Sequence, residues 1–268
     1  YEAGTEVSTS AEYGFTATSS RVLVANFAKE SQYNVTLSVS PTGSGTTSGG
    51  GSFYAGDEVV VTATASEGYL FAGWSGYVET TDNPHTFTMP AEAVSLTANF
   101  ERIEFTITAS AGDGGTINPA GDINVFYGDD QAFAVTPNEG YHIADVLVDD
   151  ASQGEIAEYT FTDVQDNHTI VASFAINTYT LTYASDENGS ISGDALQTVE
   201  HGADGTAVEA VPNEGYHFVQ WSDGVTYNPR TDTNVTESIS VTAEFAINTY
   251  TITVDANPAE GGDATGGG

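Results

Sequence analysis

The chain of 268 residues contains no cysteine. That one absence removes disulfide staples, thiolate metal ligands and thiol nucleophiles together. Basic residues are nearly missing as well: Arg21, Lys29, Arg102 and Arg230 stand against 38 Asp and Glu, a formal charge of −34. A field of that sign repels phosphate backbones and anionic lipid headgroups, which excludes nucleic acid and membrane-surface partners. The excess reads first as a solvated surface that keeps an extracellular protein soluble. No apolar run approaches the roughly 20 residues a helix needs to cross a bilayer, so no membrane insertion is expected within this stretch. Tyr1-Glu2-Ala3-Gly4 has none of the features of a signal peptide. Apolar residues spaced by three and four are also lacking, which predicts little or no helix.

What is present is Val, Thr, Tyr, Phe and Gly, arranged in a repeat. Glu-Gly-Tyr occurs with its tyrosine at 69, 141 and 216, steps of 72 and 75 residues. Each unit closes on Ala-x-Phe, ending at Phe27, Phe100, Phe174 and Phe245, and opens on an aromatic strand start at Tyr33, Phe105, Tyr179 and Tyr250. A period of this length marks tandem modules. Three whole repeats are expected at 33–100, 105–174 and 179–245, between a shortened unit at 1–28 and an opening strand with a Gly-rich tail at 250–268. The chain reads as an excerpt of a longer array.

Within a repeat the opening and closing segments alternate. Tyr33, Val35, Leu37 and Val39 interleave with polar residues, and so do Val94, Leu96, Ala98 and Phe100, the period-two pattern of strands with one buried face. The Gly of each Glu-Gly-Tyr, and Gly56, Gly128 and Gly202, fit turns that need positive φ. The fold class expected is all-β: small domains of about 70 residues in tandem, β-grasp-like or small sandwiches. Core candidates are Tyr69, Phe71, Trp74 and Phe100 in the first repeat; Tyr141, Ile143, Val146 and Phe174 in the second; Tyr216, Phe218, Trp221 and Phe245 in the third. A core that small is marginal alone, so the neighbouring repeats are the expected partners. The Ala-Ile-Asn-Thr linkers after Phe174 and Phe245 lack Gly and Pro, which favours a stiff rod.

Taken in order, the opener, Glu-Gly-Tyr followed by Phe71-Ala72-Gly73-Trp74-Ser75 or Phe218-Val219-Gln220-Trp221-Ser222, the run from Asn83 to Pro90, and Leu96-Thr97-Ala98-Asn99-Phe100 resemble the divergent internalin-type B-repeat family. The resemblance implies a small β fold displayed on bacterial surface or secreted proteins, a spacer or adhesive role, and no catalytic residues to carry over. Two positions depart from it: Val146 replaces the Trp, and Thr231-Asp232-Thr233 falls where Phe87 and Phe161 stand in the other repeats.

Side chains able to do chemistry lose weight when repeats are compared. Trp74 and Trp221 would suit sugar stacking, but Val146 at the same position argues for packing. His142 and His217 share a site where the first repeat has Leu70, and one histidine per repeat is no metal centre. Asp57-Glu58, Asp129-Asp130, Asp149-Asp150 and Asp163 to Asp166 read as solvated turns, and none has the spaced ligands of a calcium loop. No catalytic, cofactor or metal residues are therefore assigned, with calcium at turn carboxylates the single cofactor left open. The expected role is a non-catalytic stalk or spacer, with multivalent adhesion to a host protein or glycan as the alternative.

Overall fold

The computed structural model describes residues 6, 8–10, 12–25, 30–254 and 262. Two compact units result, Tyr1–Glu104 with one repeat and Phe105–Gly268 with two. Among the described residues there is no helix.

The first repeat comprises β1 (Gln32–Ser40), β2 (Gly45–Ser48), β3 (Gly51–Tyr54), β4 (Glu58–Ala65), β5 (Tyr69–Gly76), β6 (His85–Thr88) and β7 (Val94–Arg102). They form two sheets, ordered β3-β1-β7-β5 and β2-β4-β6. The inward residues of both sheets make one apolar core, Val59, Val61 and Ala63 from β4 facing Val94, Leu96, Ala98 and Phe100 from β7. Alternation along β7 is strict, because its other face is open to water.

The second repeat runs through β8 (Glu104–Ala111), β9 (Gly115–Asn118), β10 (Gly121–Phe126), β11 (Gln131–Pro137), β12 (Tyr141–Val148), β13 (Ala151–Ser152), β14 (Glu158–Phe161) and β15 (His168–Ile176). Its sheets are β10-β8-β15-β12-β13 and β14-β11-β9. The third has β16 (Thr178–Ser185), β17 (Gly189–Ser192), β18 (Leu196–Glu200), β19 (Glu209–Pro212), β20 (Tyr216–Trp221) and β21 (Ile239–Ile247), in sheets β18-β16-β21-β20 and β17-β19. No strand forms at the position of β6 there; a single bridge, Val208 to Arg230, stands in for it.

The first and last strands of every repeat pair in parallel at the centre of the larger sheet. The register is the same three times: Val35 opposite Val94, Ile107 opposite His168, Leu181 opposite Ile239, each six residues before the closing phenylalanine. Everything between is the crossover that a parallel pair requires. Two differences from the sequence-based expectation follow. Strand pairing continues past Phe174 through Ala175 and Ile176, and Thr178 already begins β16, so the linker between the second and third repeats is Asn177 alone. The described residues of the two end segments carry no strand: Tyr250 to Val254 have no parallel partner among the described residues and are exposed. Phe27, Lys29 and most of the Gly-rich tail lie outside the described residues.

Candidate functional site

Each β5-type strand holds a bulge. Phe71 opposes Phe100, Ala72 is extra, and Trp74 opposes Ala98; Ile143, Ala144 and Val146 repeat this against Phe174 and Ala172, and Phe218, Val219 and Trp221 against Phe245 and Ala243. An extra residue lets two side chains three apart face the same side. Trp74 and Trp221 are thereby buried, 1% and 0% exposed, Trp74 edge-on to Phe71 and Trp221 tilted against Phe218, both at 5.8 Å. Val146 fills the position at 0%. Phe100, Ile143 and Phe245 are buried, while Tyr69, Phe71, Phe174, Tyr216 and Phe218 pack half-buried against the same cores; Tyr141, also half-buried, lies over Gly114 instead. With its indole enclosed, neither tryptophan offers a face for a sugar.

The closing phenylalanine has a partner that the sequence reading missed. A Cβ on Gly45, Gly115 or Gly189 would overlap the ring of Phe100, Phe174 or Phe245 respectively. The recurrent Gly ten or twelve residues after each opener was the available signal. Asn83 and Asn228 were missed likewise. Asn83 Nδ2 donates to Ala63 O at 2.7 Å while Ala63 N donates to Asn83 Oδ1 at 2.9 Å, and Asn228 does the same for Ala210 at 2.7 and 2.8 Å. A side-chain amide thus occupies the edge of β4 and of β19 where a strand would add.

The acidic clusters hold backbone. Asp57 accepts from Tyr54 N, Asp130 from Asp163 N, Asp145 from Gly154 N and Asp149 from Thr169 N. Asp149 also pairs with His168 at 2.7 Å. Burial acts to raise its pKa, but the Thr169 amide and the His168 ring outweigh that and hold the carboxyl below its ordinary value. Among the described residues no three His, Asp or Glu side chains converge as a metal site would need.

The third repeat carries the densest polar cluster. Arg230 is 3% exposed. Its guanidinium binds Asp232 through Nε at 2.8 Å and Nη2 at 2.7 Å, binds Asp223 through Nη1 at 2.9 Å, and lies 5.6 Å from the Trp221 ring centroid. Tyr183 donates its hydroxyl to Asp232 at 2.7 Å. Desolvation works against each charged form. The carboxylates nevertheless hold the guanidinium above its ordinary pKa, and Arg230 and Tyr183 hold Asp232 below its own. Burial and the Asp232 carboxylate push the Tyr183 phenol up. Register shows what this replaces. Arg230 and Asp232 take the places of His85 and Phe87, a stacked pair in the first repeat, and of Tyr159 and Phe161 in the second. The departure noted at Asp232 is one part of a linked exchange.

The remaining candidate is the joint between the second and third repeats. Asn177 N donates to Gly140 O at 2.8 Å, and His201 N donates to Asn177 O at 2.8 Å. His142 Nδ1 lies 2.8 Å from Asn177 Oδ1, and Tyr179 Oη lies 3.3 Å from His201 Nδ1. The His201 ring covers Gly140 so closely that a Cβ there would overlap it. The Glu-Gly-Tyr-His motif of one repeat, the single linker residue and the hairpin turn of the next are thus tied through five residues, Gly140, His142, Asn177, Tyr179 and His201. His142, set aside in the sequence as a metal ligand, sits in this joint.

The family model described as the divergent InlB B-repeat domain matches residues 35–104, 105–178 and 179–249. A protein of Evansella cellulosilytica, provisionally named a Gly-rich membrane protein, is 25% identical over 201 residues, which is 71% of this chain and 22% of that protein; the chain spans about a fifth of this relative. Among solved structures, the Bacillus anthracis TIE protein is similar with a TM-score of 0.39 at 10% identity, over 80% of this chain and 50% of its own.

Proposed function

Since the chain belongs to the divergent InlB B-repeat family, we propose that it serves as a non-catalytic, stiff spacer in a bacterial surface or secreted protein. Domains of this family occur in bacterial surface proteins, and the Evansella relative is named for a membrane, which supports that setting. The observation that carries the spacer reading is the one-residue joint at Asn177. A flexible string of modules needs a linker whose backbone is unsatisfied by its neighbours; here both amide groups of the linker are bonded, one to each repeat. The side chains with most chemical capacity support the non-catalytic part, since His142 and His201 hold the joint, His168 holds a turn and Arg230 fills a core.

The test is a distance distribution across the joint. The chain has no cysteine, so Ala134→Cys with Glu209→Cys places two spin labels on equivalent exposed positions of β11 and β19. A single narrow distribution is expected by pulsed electron resonance. A broad one, of the kind free beads give, would overturn the spacer reading.

A further inference from the structure

The end of the third repeat reproduces one half of the joint just described. Glu214-Gly215-Tyr216-His217 is identical to Glu139-Gly140-Tyr141-His142, and Phe245-Ala246-Ile247-Asn248-Thr249-Tyr250 to Phe174-Ala175-Ile176-Asn177-Thr178-Tyr179. The geometry is kept as well. Asn248 N donates to Gly215 O at 2.7 Å, and His217 Nδ1 lies 2.9 Å from Asn248 Oδ1. What differs is the cover. Among the described residues no atom comes within 4 Å of a Cβ built on Gly215, where Gly140 lies under the His201 ring. Tyr250 is 79% exposed and Ile247 64%, whereas their counterparts Tyr179 and Ile176 are half-buried.

We propose that Gly215, Tyr216, His217 and Asn248 form a docking socket for a further module of this same repeat type, one that presents a ring-bearing residue ahead of its hairpin glycine as His201-Gly202 does. This rests on the spacer reading and says how the spacer is extended. Three physical features select that occupant. The glycine leaves a depression that a flat ring fills and a Cβ would close. Asn248 N is bonded to Gly215 O as Asn177 N is to Gly140 O, and in the proposed joint Asn248 O receives the backbone N–H of the incoming turn as Asn177 O receives His201 N. Finally, the chain's net charge of −34 disfavours association of two separate copies, so the socket suits a module tethered in the same chain, where effective concentration reaches the millimolar range.

The experiment appends to residues 1–248 a second copy of residues 178–248, which recreates the sequence on both sides of the joint. Labels at Glu209→Cys and at its counterpart in the appended copy span the new joint as Ala134→Cys and Glu209→Cys span the existing one. The proposal expects the same mean distance and the same width at both, and at least a twofold broadening when the appended counterpart of His201 is changed to Ala. A narrow distribution at the existing joint with a broad one at the new joint overturns the socket and leaves the spacer reading intact. Broad distributions at both overturn the spacer reading itself. A new joint that stays narrow without its imidazole overturns the assignment of the ring as the part that seats.

Discussion

Bulk in the three cores is conserved by exchange between facing sheets. Where the larger sheet has Trp74 or Trp221, the opposing layer has Val61 in β4 or Val208 just before β19; where it has Val146, the opposing layer has Phe133 in β11. Interiors are packed to crystal density, so each change is costly without the other. Val146→Trp alone should destabilise the second repeat by about 1–3 kcal/mol through overpacking, and Phe133→Val alone by about 1–3 kcal/mol through the space it leaves. The double variant should recover much of both losses, with a coupling of about 1–3 kcal/mol in a denaturant-unfolding cycle. Simple additivity would show that the two positions do not share volume. Trp74 adds a further point at this scale, since its buried Nε1 has no hydrogen-bond partner among the described residues, whereas Trp221 Nε1 donates to Tyr227 O at 3.3 Å.

At the scale of elements, the third repeat has exchanged a strand for an ion network. Leu37, His85 and Phe87 of the first repeat correspond to Tyr183, Arg230 and Asp232, and β6 gives way to a single bridge. Removing one member should be worse than removing the set. Arg230→Ala leaves Asp232 without its cation and should cost about 3–5 kcal/mol, while Tyr183→Leu, Arg230→His and Asp232→Phe together should be near neutral or stabilising. Calorimetry of the three variants decides between these outcomes.

The pH dependence of the same network has a definite sign. Asp232 is held below its ordinary value near 3.8, so its contribution is complete above that pH and is lost as pH falls through the lower folded value. Tyr183 is held above 10.0, so its contribution is complete below that pH and is lost as pH rises through the higher folded value. Protonating 38 carboxylates also relieves repulsion throughout the chain. The measurable quantity is therefore the difference between wild type and Asp232→Asn. It should shrink as pH drops from 6 to 2.5 in denaturant titrations, and a constant difference would remove Asp232 from the network.

For the whole molecule the dominant force other than burial is self-repulsion. With a charge of −34 and only four cations, added salt screens like charges far more often than ion pairs. The melting temperature should rise as sodium chloride goes from about 10 mM, with a screening length near 30 Å, to about 1 M, where it is near 3 Å. A fall would mean that solvent-exposed ion pairs outweigh the repulsion. Because the pair is buried and screened little, the Arg230→Ala variant should show a salt response close to that of wild type.

Period and alternation were enough to read three all-β modules, because a strand with one wet face must place apolar residues at every second position and a tandem array must restate them. The bulge breaks that period, so the spacing of three from Phe71 to Trp74 and from Phe218 to Trp221 acquires its meaning only once Ala72 and Val219 are seen as extra residues. Parallel pairing of opening and closing strands was out of reach for the same reason. Alternation reports which face of a strand is buried and carries nothing about which strand lies beside it. Tertiary structure alone decided that Asn177 is the whole of a linker, that His142 and His201 both bond to it, and that Arg230, one of only four cations, lies inside a core. Each depends on groups far apart in the chain, at distances that pairing between strands sets and local sequence does not.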